Sequence, residues 1–319
     1  MKTEIVKAGM FVTAVCGVYL VELALFIVFI LARLGFVPRQ KRRGLARAAV
    51  LCVHVLAVGG ALCMIYALFV EPHWIEVVNV DVPTNRIKHV SLTVVQISDL
   101  HCDPARNDED RVVQMVNDAR PDVIVFTGDA ANDEKGLPIF RDTLKRLNAP
   151  LGKFAVRGNI DRGFSDEDLV GGTGFVLLDG ECAVVRKDGE AFCIVGVSNE
   201  RVGQIHGILQ RIIAARTPRE MFTIFIHHYP GMVDEVYPGW VDLSLCGHIH
   251  GGQVALPFYG AVMTFSSAGK KYERGIYHAK GALLYVNRGI GTENIPVRAR
   301  FLARPEITVF HIHPSGENG

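Results

Sequence analysis

The chain has 319 residues, with 34 Lys and Arg against 33 Asp and Glu and a formal net charge of +1. That length allows one sizeable domain plus something smaller, and the near balance of charge excludes the broad basic field of a nucleic-acid binder. Seven cysteines include neither a C-x-x-C pair nor zinc-finger spacing, so no zinc finger or dithiol centre is expected.

Residues 9–36 are apolar apart from Glu22, Arg33 and a few small polar residues, and residues 48–70 are apolar apart from His54. Each run exceeds the ~20 residues that cross a bilayer as a helix. The first is too long for a signal-peptide core and lacks a small-x-small cleavage site, so it is expected to be retained. Between them, residues 38–47 carry Arg39, Lys41, Arg42, Arg43 and Arg47 without one acid. The positive-inside rule makes this loop cytoplasmic and places everything after Val70 outside. Glu71, Glu76 and Asp81, which precede Arg86, agree with that orientation. Residues 1–80 therefore read as a two-pass anchor in a lipid bilayer, of the kind found in a bacterial inner membrane. Within it Glu22 reads as tolerated against the partner helix near His54, and Cys16, Cys52 and Cys63 read as small hydrophobes.

After a linker containing Pro83, Thr84 and Asn85, strand and helix signals alternate. Residues 91–98 read as a buried strand. Residues 108–119 read as a helix with Val112, Val113, Met115 and Val116 on one face. A strand at 121–127, a helix at 137–147 and a strand at 153–157 follow. Residues 175–180 and a hairpin over 183–195, turning at Lys187-Asp188-Gly189-Glu190, are β. Residues 203–215 are helical, 221–226 a strand, and short strands run from 241 to 307–312. Alternation followed by a β-rich half predicts an α/β fold of two packed mixed sheets flanked by helices. Cys182 and Cys193 flank the hairpin turn and would pair only in an oxidising compartment; separately buried thiols are the ordinary alternative.

Five islands carry the chemistry: Asp99-Leu100-His101, Gly128-Asp129, Gly158-Asn159-Ile160-Asp161, His227-His228-Tyr229-Pro230 and Gly247-His248-Ile249-His250. Each puts a carboxylate, imidazole or amide at the end of a strand-like run, where α/β folds gather ligands. Asp99 and His101, two apart on a chain leaving a strand, can point to one side. Asp129 has two oxygens and can bridge two cations. Only one of His227 and His228 can face the site from an extended strand. Cys102 points away from His101, and His54, His73, His89, His206, His278, His311 and His313 match no island.

In these islands the chain resembles the calcineurin-like metallophosphoesterases, whose pattern is D-x-H, G-D, G-N-H-[DE], H, G-H-x-H. The likeness covers residues 90–312, within an expected domain at 88–315. Gly251-Gly252-Gln253 and Asn287-Arg288-Gly289-Ile290-Gly291-Thr292 resemble its membrane-anchored bacterial branch. The resemblance implies a four-layer α/β/β/α sandwich and two divalent metal ions, Mn, Fe, Zn, Co or Ni. Matched position by position, it assigns Asp99, His101, Asp129 and His250 to one ion and Asp129, Asn159, His228 and His248 to the other. His228 is preferred to His227 because the family's ligand stands two residues before a proline. Asp129, Asn159 and His248 would act in catalysis around a metal-bridging hydroxide attacking phosphorus in line. Ile160 departs from the pattern: the usual histidine, thought to aid the leaving group, is missing.

The expected activity is therefore hydrolysis of a phosphodiester, a pyrophosphate or a lipid-linked phosphate. Arg157, Arg162, Arg288 and Arg298 lie near the motifs and are candidates to grip a second phosphate, with solvated arginines as the alternative. The UDP-2,3-diacylglucosamine pyrophosphatases also lack the histidine, having G-N-R-D, but their nucleotide substrate is cytoplasmic and demands the opposite topology. A catalytically silent membrane scaffold is the third reading.

Overall fold

The computed structural model describes residues 2–36, 44–215, 221–264, 266, 268–293 and 298–315. Two long helices come first, α1 (Lys2–Arg33) and α2 (Gly44–Phe69), both long and apolar enough to cross a bilayer. Phe26, Phe29, Leu51 and Leu62 on them are more than half exposed, which would not suit helices of a water-soluble core. Tyr19 Oη donates to the Ala57 carbonyl at 3.1 Å. Gly60 makes that approach possible, because a Cβ there would lie 2.7 Å from the hydroxyl. Glu22 and His54 meet at 2.7 Å, so each satisfies the other inside the hairpin. Of the basic stretch 39–47, residues 39–43 lie outside the described residues.

Among the described residues, the rest of the chain builds two six-stranded sheets. The first has the order β1 (Glu76–Thr84), β14 (Glu306–Pro314), β2 (Leu92–Ile97), β3 (Val123–Phe126), β4 (Gly152–Ala155), β5 (Phe175–Leu177). The second has the order β12 (Gly275–Ala279), β13 (Ala282–Val286), β9 (Leu243–Cys246), β8 (Phe222–His227), β7 (Glu190–Val197), β6 (Glu181–Lys187). A small ribbon of β10 (Ala255–Leu256) and β11 (Gly260–Ala261) stands apart. Central neighbours are parallel; β14 and β2, β12 and β13, and β6 and β7 are antiparallel.

Strand alternation divides the core. Leu92, Val94, Val123 and Val125 point between the sheets, meeting Ile194, Ile224 and Leu245. Val95, Ile97, Ile124 and Phe126 point the other way, onto α3 (Glu109–Asp118) and α4 (Leu137–Lys145). A short α5 (Asp166–Val170) begins with a Ser165–Asp168 capping box. On the outer face of the second sheet, α6 (Ile205–Ala215) lays Ile205, Ile208 and Leu209 on Val195 and Phe225. The result is the expected four-layer α/β/β/α sandwich.

One expectation needs correction. Pro83 and Thr84 are not linker residues but the end of β1, which pairs in parallel with β14 from Glu76 to Thr84. Pro83 fits there because β1 is an edge strand and has a partner on one side only. The hairpin turns at Asp188-Gly189, with φ of 46° and 88°, the conformation a two-residue turn requires. Its register sets Cys193 opposite Val184 and Cys182 opposite Val195, and no disulfide forms. That diagonal is too long for an S–S bond.

Candidate metal centre

The islands converge because the strands before them end on one rim of the two sheets. Asp99 and His101 follow β2, Asp129 follows β3, Asn159 follows β4, His228 follows β8, and His248 and His250 follow β9. Ligand atoms of Asp99, His101 and His250 lie within 4.8 Å of one another, and so do those of Asp129, His228 and His248. Asn159 Oδ1 lies 3.0 Å from His228 Nε2 and so adjoins the second group. Five of the seven are buried; Asn159 and His248 are half-buried and form the open side.

The backbone is forced into place. Asp99, His101, Asp129, His248 and His250 have φ of 50°, 44°, 63°, 74° and 52°, each at a cost of about 1–3 kcal/mol in a non-glycine residue. At Gly128, with φ of 98°, a Cβ would lie 2.5 Å from Gly158 N and 2.8 Å from His228 Nδ1. Asp161 clamps the loops: its carboxylate accepts from the N–H groups of Asp129 (2.9 Å), Ala130 (2.8 Å) and Gly158 (2.7 Å). Burial, then the neighbouring Asp129, raises Asp161 to about 6.

The rings are aimed by their outer nitrogens. His101 Nδ1 donates to Asn132 Oδ1 at 3.1 Å and His228 Nδ1 to the Thr127 carbonyl at 2.8 Å, leaving both Nε2 atoms facing inward. His101 Nε2 and His250 Nε2 are 3.0 Å apart, and His228 Nε2 and His248 Nδ1 3.2 Å. Nitrogens this close need a proton or a cation between them. On the far side of His250, Arg300 Nη2 lies 3.1 Å from Nδ1; a guanidinium only donates, so Nδ1 accepts. The other ring nitrogen, Nε2, faces Asp99 Oδ1 at 3.3 Å.

Asp99 accepts from Ser98 Oγ and, at 3.1 Å, from the His248 N–H. Asp129 Oδ1 accepts from the Ile160 N–H at 3.1 Å. Its Oδ2 is buried and, among the described residues, accepts no hydrogen bond, although it lies 3.2 Å from His228 Nε2 and 3.8 Å from His101 Nε2. Such an orphan is rare and calls for an ion or its equivalent. Two divalent cations fit this all-N/O donor set.

The charges are tightly coupled. Burial pushes Asp99 up, but His250, His228 and His101 together hold it well below the usual carboxylate range. Asp129 is likewise lowered, against burial, by His228 and His101. Burial and His250 push His101 down to about 4, and burial and His228 do the same to His248. His228 is the exception: burial opposes its charge, yet Asp129 and Asp99 lift it to about 10.

His227 turns away from the groups. Its ring bonds Ser244 Oγ at 2.7 Å and the Tyr229 carbonyl at 3.0 Å, and burial pushes it down to about 3. Three of the arginines weighed as phosphate grips are committed elsewhere: Arg157 to Asp166 and the Phe164 carbonyl, Arg288 to Glu76 and Glu306, Arg298 to Asp103. Arg162 is exposed, and Cys102 is buried in the core. Sequence reasoning passed over Asn132, Arg300 and Glu293. Glu293 is half-buried within electrostatic reach of both groups, its pKa raised by burial and by Asp129 and Asp99 against His250. A cleft beside His101 is lined by Leu100, Ile290 and Thr292, with Pro72 and His73, just beyond α2, on its wall.

Residues 92–252 match the calcineurin-like phosphoesterase family. The chain is 34% identical over 290 residues to YkuE, an uncharacterized metallophosphoesterase of Bacillus subtilis, covering 85% of this chain and 96% of that one. It is 26% identical to the phosphodiesterase YaeI of Escherichia coli, over 77% of this chain and 92% of that one. It is also 26% identical to the UDP-2,3-diacylglucosamine pyrophosphatase LpxG of Chlamydia muridarum, over 78% of this chain and 92% of the other.

Proposed function

The chain belongs to the calcineurin-like phosphoesterase family of metal-dependent hydrolases, and on that premise we propose that it is a membrane-anchored hydrolase of phosphodiester or pyrophosphate bonds with a dinuclear centre. Asp99, His101, Asp129 and His250 hold one ion, and Asp129, Asn159, His228 and His248 the other. The observation that carries this reading is Asp129 Oδ2, buried between the two groups and, among the described residues, without a hydrogen bond. Bound there, divalent ions supply Lewis acidity and an acidified water.

The chain's own residues do the rest. Asn132 and Thr127 fix the ring orientations, and Asp161 fixes the loops. Half-buried Asn159 and His248 border the side from which a phosphate can approach. Ile160 has no proton to donate, so the site favours substrates whose leaving oxygen departs as a stable anion. The basic stretch 38–47 turns the catalytic domain away from the cytoplasm.

A lipid-linked pyrophosphate is a second reading, favoured by the cleft whose wall includes Pro72 and His73 at the membrane end of the domain. The LpxG relative, named for a diacylated nucleotide substrate, supports it. Full-length protein assayed with Mn on bis-p-nitrophenyl phosphate tests the main reading. Turnover that disappears with Asp129→Asn supports it; no turnover with any of the five candidate metals favours the silent scaffold.

A further inference from the structure

The contacts of α2 do not stop at the bilayer. The Arg300 N–H donates to the carbonyl of Ala67, in the last turn of the helix, at 2.9 Å. Phe301 meets Tyr66 edge-on, with ring centroids 6.2 Å apart. Just past the helix Glu71 is wholly buried, and its carboxylate accepts from the N–H groups of Leu302 at 2.9 Å and Ala303 at 2.5 Å. Arg304 Nε donates to the Trp74 carbonyl at 3.1 Å, and its guanidinium lies over the Trp74 ring. The joint thus supplies both backbone donors of a buried carboxylate, which would be costly to leave unpaired.

The same segment reaches the metal centre. The Arg300 side chain is fully buried. Its Nη1 donates to the carbonyls of Arg288 at 2.9 Å and Ala303 at 2.8 Å. Its Nη2 donates to the Gly291 carbonyl and meets His250 Nδ1 at 3.1 Å. One residue thus bonds the membrane helix through its backbone and a proposed ligand through its side chain.

We infer that the last turn of α2, together with Glu71, positions Arg300 and through it the His250 ring, so that the anchor is a structural part of the Asp99–His101–His250 group. This rests on the two-ion reading above. Glu71 and Arg300 are positioning residues and touch no substrate. The other group takes its orientation from Asp161 and Thr127, so the dependence on the anchor is one-sided. Disturbing the joint should weaken one ion and spare the other.

The test uses the full chain in lipid nanodiscs, titrated with Mn and followed by calorimetry and electron paramagnetic resonance. Wild type should bind two ions and show a spin-coupled signal. Glu71→Gln and Arg300→Lys should each keep one ion at wild-type affinity and bind the other ~10–100-fold more weakly, the usual effect of losing an outer-shell partner. At intermediate Mn their signal should be that of an isolated ion. Two ions at wild-type affinity in both variants, or equal weakening of both sites, would overturn the inference. Should Arg300→Lys fail to fold, Glu71→Gln, which exchanges one oxygen for an amide, decides alone. A wild-type chain that binds fewer than two ions overturns the parent reading, and the inference with it.

Discussion

Asp129→Asn isolates the charge of the shared carboxylate from its shape. The amide oxygen can still accept from the Ile160 N–H at 3.1 Å, and the backbone stays tied to Asp161. What changes is Oδ2, which becomes an NH₂ donor 3.2 Å from His228 Nε2 and 3.8 Å from His101 Nε2. Both carboxylate and rings are buried, so no solvent softens the loss. Removing one partner of a fully buried charge pair costs about 3–5 kcal/mol. With tenfold for each ~1.4 kcal/mol, that is roughly a 10²- to 4 × 10³-fold loss of affinity, and a shared ligand exposes both ions to it. Equilibrium dialysis at fixed free Mn, with metal per chain read by elemental analysis, measures this directly. Circular dichroism checks that the fold is intact. The variant should lose both ions at concentrations that saturate wild type, and hydrolysis with them. If it keeps two ions at wild-type affinity, Oδ2 is not shared and the proposed ligand assignment is wrong.

Installing the imidazole at the departing position, Ile160→His, should flatten the dependence of rate on leaving-group pKa across a series of aryl phosphodiesters; parallel slopes for the two proteins would show that position 160 has no part in departure. A phosphatase-type reporter fused after Val70 should be active, as the basic stretch between the helices requires; activity only from a cytoplasm-specific reporter would reverse the topology and strengthen the nucleotide-lipid reading. Phe140→Ala removes a fully buried ring that packs on Phe126 at 5.0 Å, and should cost about 3–5 kcal/mol in chemical denaturation of the domain. Metal stoichiometry at low denaturant should not change, because that ring lies on the helix side of the sheet.

The parts of this molecule visible in its sequence are those fixed by local pattern. Val123-Ile124-Val125-Phe126 is apolar on both faces, as a central strand must be, and Asp129 falls just past its end. Asp188-Gly189 has the two residues that tolerate positive φ, so the hairpin was legible. β1 was hidden because Asn79, Asp81 and Pro83 interrupt its apolar residues. The pattern makes sense only once Val80 and Val82 lie on one face against β14, a partner more than two hundred residues away in sequence. Arg300 was hidden for a different reason. An arginine in an irregular tail looks solvated, and only tertiary structure shows its guanidinium buried among carbonyls beside His250. Likewise nothing local shows that Glu71, a residue just beyond a membrane helix, is buried beneath Leu302 and Ala303.

The central claim is that two ions share Asp129. Anomalous diffraction from Mn-loaded crystals of the full chain tests it most directly. The predicted result is two peaks roughly 3.5–4 Å apart, both within bonding distance of Asp129, one also bonded to Asp99, His101 and His250 and the other to Asn159, His228 and His248. A single peak, or a pair that does not touch Asp129, would contradict it.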